Sequence, residues 1–167
     1  MKEGKLGKDE KQAELTKYRD LVLTTLDYYL ENKVMQIKSA DFDSDEHYKG
    51  LKIQTAEHFQ KGRLTKLKQW FRDLTEMLVE TGDLKFNKYL QDKTKYDIDI
   101  FNSYFQRINM VIEKGKIDTD KQFYDINMRV NQLCQTEPVD REKIEILNRL
   151  LNEYEQGKSQ KRRKPTA

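Results

Sequence analysis

Apolar residues recur along this chain at steps of three and four, the spacing that gathers them on one face of an α-helix. From about Asp9 to Lys38, the positions Leu15, Tyr18, Val22, Leu26 and Tyr29 draw one stripe, widened by Leu21, Leu23 and Leu30. A face that broad predicts a first helix touching more than one neighbour. The run Ser39 to Glu46, with Asp41, Asp43 and Asp45, breaks the pattern and predicts a turn and a helix start.

A second helical pattern extends from about Ser44 to Thr81 and holds two stripes. Tyr48, Leu51, Thr55 and Phe59 form one; Leu64, Leu67, Phe71, Leu74 and Leu78 form the other. At about 100° per residue their mean directions differ by roughly a quarter turn. Gly62 lies between them, so either the helix kinks or breaks near Lys61-Gly62-Arg63 or one rod serves two partners. Gly82 is the expected left-handed cap, with Asp83 capping a short helix through Leu84, Phe86, Tyr89 and Leu90.

From Tyr96 to Lys114, Ile98, Phe101, Phe105, Ile108 and Ile112 make a heptad-like seam, with Ile100, Tyr104 and Val111 beside it. That seam predicts the central helix of the core. Thr119 with Gln122 is a capping-box spacing ahead of Phe123, Ile126, Val130 and Leu133. After Pro138, Asp140 is placed to cap a last helix with Ile144, Leu147, Leu151 and Tyr154 on its buried face, and Gly157 to stop it. The expectation is an all-α protein, an up-and-down bundle of five or six helices. Its organisation would be a flexible N-terminus over 1–8, one helical domain over 9–157 and a disordered basic tail over 158–167.

Composition narrows the reading. Charged residues are 37% and hydrophobic residues 36% of the 167, a balance suited to slender helices with wide solvated faces. Nine tyrosines, seven phenylalanines and one tryptophan supply the buried area that a disordered chain lacks. No stretch approaches the roughly 18 to 20 apolar residues of a membrane span, and the first residues carry no signal-peptide core. A soluble protein of the cytoplasm is expected, or of the nucleus if the host is eukaryotic. Cys134 is the lone cysteine, which excludes a disulfide within the chain and fits a reducing compartment. Of the formal charge of +3, five positive charges belong to Lys158, Lys161, Arg162, Arg163 and Lys164; without them the 29 acids outnumber the bases. Overall basicity is therefore a property of the tail and does not argue for nucleic-acid binding by the folded part.

Candidate chemistry is sparse. Asp41, Asp43 and Asp45 have the alternate spacing that opens a calcium loop, but Glu46 stands where such a loop needs glycine and Lys52 where it needs a bidentate glutamate. His47 and His58 would stand about 16 Å apart on one helix at 1.5 Å per residue, too far to share a metal. Cys134, near a helix C-terminus, lacks the electrostatics of a thiolate and reads as a core or boundary residue. No catalytic residue, metal ligand or cofactor is expected.

The span from Lys49 to Arg72 is the most suggestive. Lys49, Lys52, Lys61, Arg63, Lys66, Lys68 and Arg72 stand there with only Glu57 in opposition. Lys61, Lys68 and Arg72 share a helix side away from the apolar stripe, with Trp70 partly exposed beside them, and such a ridge fits a phosphate backbone. Paired with acidic faces of neighbouring helices, it is merely a solvated surface. Lys161, Arg162, Arg163 and Lys164 would add a flexible grip or an import signal. The leading expectation is a non-enzymatic protein that acts by binding another protein or a second copy of itself. Nucleic-acid binding through the ridge is the alternative, and an enzyme with a site assembled from sequence-distant residues the competing class.

Overall fold

The computed structural model describes residues 7–163. Among these residues there are seven helices and no strand: α1 (Lys8–Glu31), α2 (Ser44–Gln60), α3 (Leu64–Glu80), α4 (Lys85–Thr94), α5 (Asn102–Lys114), α6 (Asp120–Cys134) and α7 (Arg141–Arg163). The all-α class is as expected, but the count exceeds five or six. The difference arises at Gly62, whose φ of +64° ends one helix and starts another, so the two stripes of the 44–81 pattern belong to two helices. No described helix is long and apolar enough to cross a membrane.

The described residues form two compact units that divide between Asp99 and Ile100. In the first, α1 packs against α2, α3 and α4, and α2 packs against α3. Its broad stripe explains this: Leu21, Val22 and Leu26 are fully buried, and Leu15, Tyr28 and Tyr29 nearly so. Two tyrosines fasten neighbours through their hydroxyls. Tyr29 donates to the Leu74 carbonyl at 2.6 Å, and Tyr28 to Asp83 at 2.7 Å. Asp83 is thus spent on Tyr28, and no side chain caps α4.

In the second unit α6 packs against both α5 and α7. The helix after Tyr96 starts later than expected: residues 95–99 are not helical, and α5 begins at Asn102. Its seam is also rotated. Phe101, Tyr104, Ile108 and Val111 are buried, whereas Phe105 and Ile112 are only half-buried, and α6 rather than α5 touches both neighbours. The Tyr104 hydroxyl donates to the Asp125 carbonyl at 3.2 Å, while the Asp125 carboxylate, 11% exposed, receives Arg107 at 2.9 Å.

The starts of α6 and α7 follow their sequence signals. Thr119 accepts from the Gln122 N–H at 3.2 Å, and Asp140 from the Lys143 N–H at 3.0 Å. The far end of α7 does not: it continues through Gly157 to Arg163, so residues 158–163 are helical rather than a disordered tail. A single helical glycine costs only about 1 kcal/mol, and the cations of the last turn suit the negative end of the helix dipole. Residues 1–6 and 164–167 of the expected flexible ends, Lys164 included, lie outside the described residues.

Candidate functional site

The hairpin between α2 and α3 carries the basic span. Its turn is closed by the Gly62 N–H on the Phe59 carbonyl at 3.0 Å and the Arg63 N–H on the His58 carbonyl at 2.9 Å. Because the helix breaks here, Lys61 caps α2 while Lys68 and Arg72 stand on α3, so the three do not share one helix side. Acids from outside the span also meet most of its cations. Lys68 reaches Glu14 on α1 at 3.2 Å, Lys52 reaches Asp27 at 2.5 Å and Lys49 reaches Glu46 at 2.7 Å. Arg72 lies 3.6 Å from Asp73, and Lys61 lies 4.0 Å from Glu57.

Arg63 and Lys66 differ. Neither forms an ion pair among the described residues, and both stand against aromatic rings at the hairpin tip. The Arg63 guanidinium is 3.4 Å from His58 Nδ1, and the Lys66 ammonium is 6.0 Å from the centre of the half-buried Trp70 ring. His58 meets Trp70 edge to face at 4.8 Å. Partial burial, followed by the charges of Arg63 and Lys66, holds the His58 imidazole below its ordinary pKa. Cations interleaved with aromatic groups form a tip able to receive an anion beside a ring.

A second feature was missed by periodicity. Between α1 and α2 the chain exposes Met35 by 50%, Ile37 by 49% and Phe42 by 44%, three large apolar side chains within eight residues. The loop is tied at its base by the buried Ser44, whose hydroxyl accepts from the Ile37 N–H at 3.0 Å and whose N–H donates to the Ile37 carbonyl at 2.9 Å. Its tip closes where the Ser39 N–H meets the Phe42 carbonyl at 2.8 Å. Lys33 and Met35 take left-handed backbone conformations, with φ of 54° and 47°. The helical pattern runs to Lys38 and takes in Met35 and Ile37, but α1 ends at Glu31, so both lie outside any helix, with Phe42 in the turn-forming run that follows. The signal available was that the stripe of the first helix ends at Tyr29 and includes neither Met35 nor Ile37.

The chain matches no family model, no curated protein and no solved structure. Its remaining candidates have structural places. Asp43 caps α2, accepting from the Asp45 N–H at 2.9 Å, and lies 3.6 Å from Lys38; Asp45 pairs with Lys33 at 3.1 Å. For Asp43, desolvation raises the carboxyl pKa, but the Asp45 and Glu46 N–H groups and Lys38 outweigh it and hold it below its ordinary value. His47 packs against Phe42 and Tyr48, remote in role from His58 on Trp70. Cys134, expected in the core or at its boundary, is exposed at the end of α6, because Leu133 and Val130 occupy the buried face there. Lys161, Arg162 and Arg163 form the last turn of α7. Among the described residues no group of three or more His, Cys, Asp or Glu is placed to hold a metal ion.

Proposed function

We propose that this protein acts by binding another protein, through the loop that presents Met35, Ile37 and Phe42. The observation that carries this reading is the exposure of those three side chains on a loop whose backbone is tied at base and tip. Phe42 also rests on His47, but about half of each of the three side chains faces water, and apolar area left in water favours a surface that can cover it. The occupant this chemistry suits is a protein with an apolar cleft. Changing Met35, Ile37 and Phe42 together to serine is expected to abolish capture of a partner by the tagged protein from its host, with capture by the parent chain unaffected by nuclease. Because about half of each side chain is covered, the triple change should cost about 2 to 4 kcal/mol, so a cooperative melt of the variant is measured beside the capture. Undiminished capture by the folded triple variant would count against the loop.

One observation favours a second reading, nucleic-acid binding. Among the described residues, Arg63 and Lys66 stand beside His58 and Trp70 without carboxylate partners, so they are the cations of the ridge best able to receive phosphates. On this reading, changing both to glutamine weakens binding to single-stranded RNA or DNA and flattens its salt dependence. The same change at Lys68 and Arg72, which are matched by Glu14 and Asp73, does much less. Equal losses from the two pairs would remove the tip from consideration.

A further inference from the structure

The second unit holds a cavity that neither reading uses. It opens between the α5–α6 turn and the outer half of α7 and has a volume of about 600 Å³, within the range of small-molecule sites. Its floor is apolar: Ile117 and Leu150 line it, each only 3% exposed. Tyr154 forms a wall, its ring packed on Phe123 at 5.6 Å and its hydroxyl donating to Asp120 at 3.0 Å.

Cations from two distant parts of the sequence line the same cavity. Lys116 comes from the turn, and Lys158 and Lys161 come from α7. Lys116 is matched by Asp118 at 3.3 Å, and Lys158 by Asp120. Lys161 forms no ion pair among the described residues. Glu153, the other acid of the lining, precedes it by eight positions, about 12 Å along the axis at 1.5 Å per residue. Lys161 is therefore the lining cation left with charge to offer an anion, and Glu153 lies about two turns away from it.

Gly157 also lines the cavity, in mid-helix, where glycine costs about 1 kcal/mol relative to alanine. No neighbour demands it, since a Cβ built there meets nothing within 4 Å. The missing side chain leaves the opening between the turn and α7 clear.

We propose that this cavity binds a small organic anion, with an apolar or aromatic body seated on Ile117, Leu150 and Tyr154 and a phosphate or carboxylate held by Lys161 together with Lys116 or Lys158. The combination separates this site from a bare basic surface. Charge alone would be served by any exposed lysine, and an apolar body alone gains nothing from the rim.

Titration of the full chain with phenyl phosphate, followed by amide chemical shifts, tests it. Phenyl phosphate should bind at least about ten-fold more tightly than either inorganic phosphate or phenol, a difference of about 1.4 kcal/mol, and should move the resonances of Ile117, Tyr154 and Lys161. Gly157→Leu, which fills the mouth, should abolish binding with helical content unchanged. Lys161→Glu should abolish it as well and Lys161→Arg should retain it, a pair that carries the test if the leucine variant does not fold. Inorganic phosphate binding as tightly as phenyl phosphate, or phenyl phosphate binding unchanged in a folded Gly157→Leu or Lys161→Glu variant, would overturn the proposal. Sedimentation with phosphatidate-containing vesicles distinguishes the source of the anion. Co-sedimentation lost in Lys161→Glu assigns a lipid headgroup; phenyl phosphate binding without co-sedimentation assigns a free small molecule.

Discussion

The two units handle polar groups in opposite ways. In the first, tyrosine hydroxyls reach outward from α1, Tyr29 to the Leu74 carbonyl and Tyr28 to the Asp83 carboxylate, so the buried part of α1 is apolar apart from Thr25. In the second, a carboxylate is brought inside: Asp125 is buried on the central helix and is matched by Arg107. The difference shows how two stretches of similarly charged, amphipathic helix reach unequal cores. A long hub with apolar residues around most of its circumference needs only hydroxyls at its edges, whereas a shorter hub with fewer apolar positions accepts a charged pair.

The comparison can be broken most sharply in α5. Tyr104 is 1% exposed and Phe105 only half-buried, so Tyr104→Ala is expected to destabilise by about 3 to 5 kcal/mol and Phe105→Ala by about 1 to 2 in urea denaturation. Equal losses would return the seam to Phe105. A smaller effect separates the two kinds of polar burial. Asp125→Ala removes the partner of Arg107, which is 39% exposed and can turn to water, so the loss should be about 1 to 3 kcal/mol. Tyr29→Phe removes one hydroxyl from a carbonyl and should cost about 1 kcal/mol. A larger loss from Tyr29→Phe than from Asp125→Ala would invert the contrast.

The smallest effect expected is at His58. Its pKa is held below the ordinary value, so the unfolded chain takes up the proton more readily than the folded one. The His58 contribution is fully present above the unfolded value of about 6.5 and is lost as pH falls from there toward the folded value. The charged groups acting on it are Arg63, Lys66 and Lys61, opposed by Glu57. Urea midpoints measured from about pH 7 down to about pH 5 should therefore fall less steeply in His58→Gln than in the parent chain. Identical slopes would show that the His58 ring is hydrated at the tip and that solvent screens the cations beside it.

Most of the helices were legible because each buries one stripe. The break at Gly62, the caps at Thr119 and Asp140 and the left-handed Gly82 are local signals, and they appear where local rules place them. The seam of α5 was not legible. Phe101-Phe105-Ile108-Ile112 and Phe101-Tyr104-Ile108-Val111 both step by three and four, and the choice between them depends on a hydroxyl acceptor at Asp125, on another helix. The basic ridge failed for the same reason, since Glu14 meets Lys68 from 54 positions earlier in the chain. The cavity by α7 was invisible because its cations meet only when residues 158–163 are helical.

The left-handed Lys33 and Met35 have a kinetic consequence. Residues with side chains occupy that backbone region only when their surroundings hold them there, at a cost of order 1 to 3 kcal/mol each. Here the ties to Ser44 and the ion pair of Lys33 with Asp45 do so in the free protein. A partner that takes Met35, Ile37 and Phe42 meets them already arranged. Encounter should then proceed in one concentration-dependent phase, at about 10⁵ to 10⁷ M⁻¹s⁻¹ as for pre-shaped surfaces, without a slower step in which the loop must first assemble.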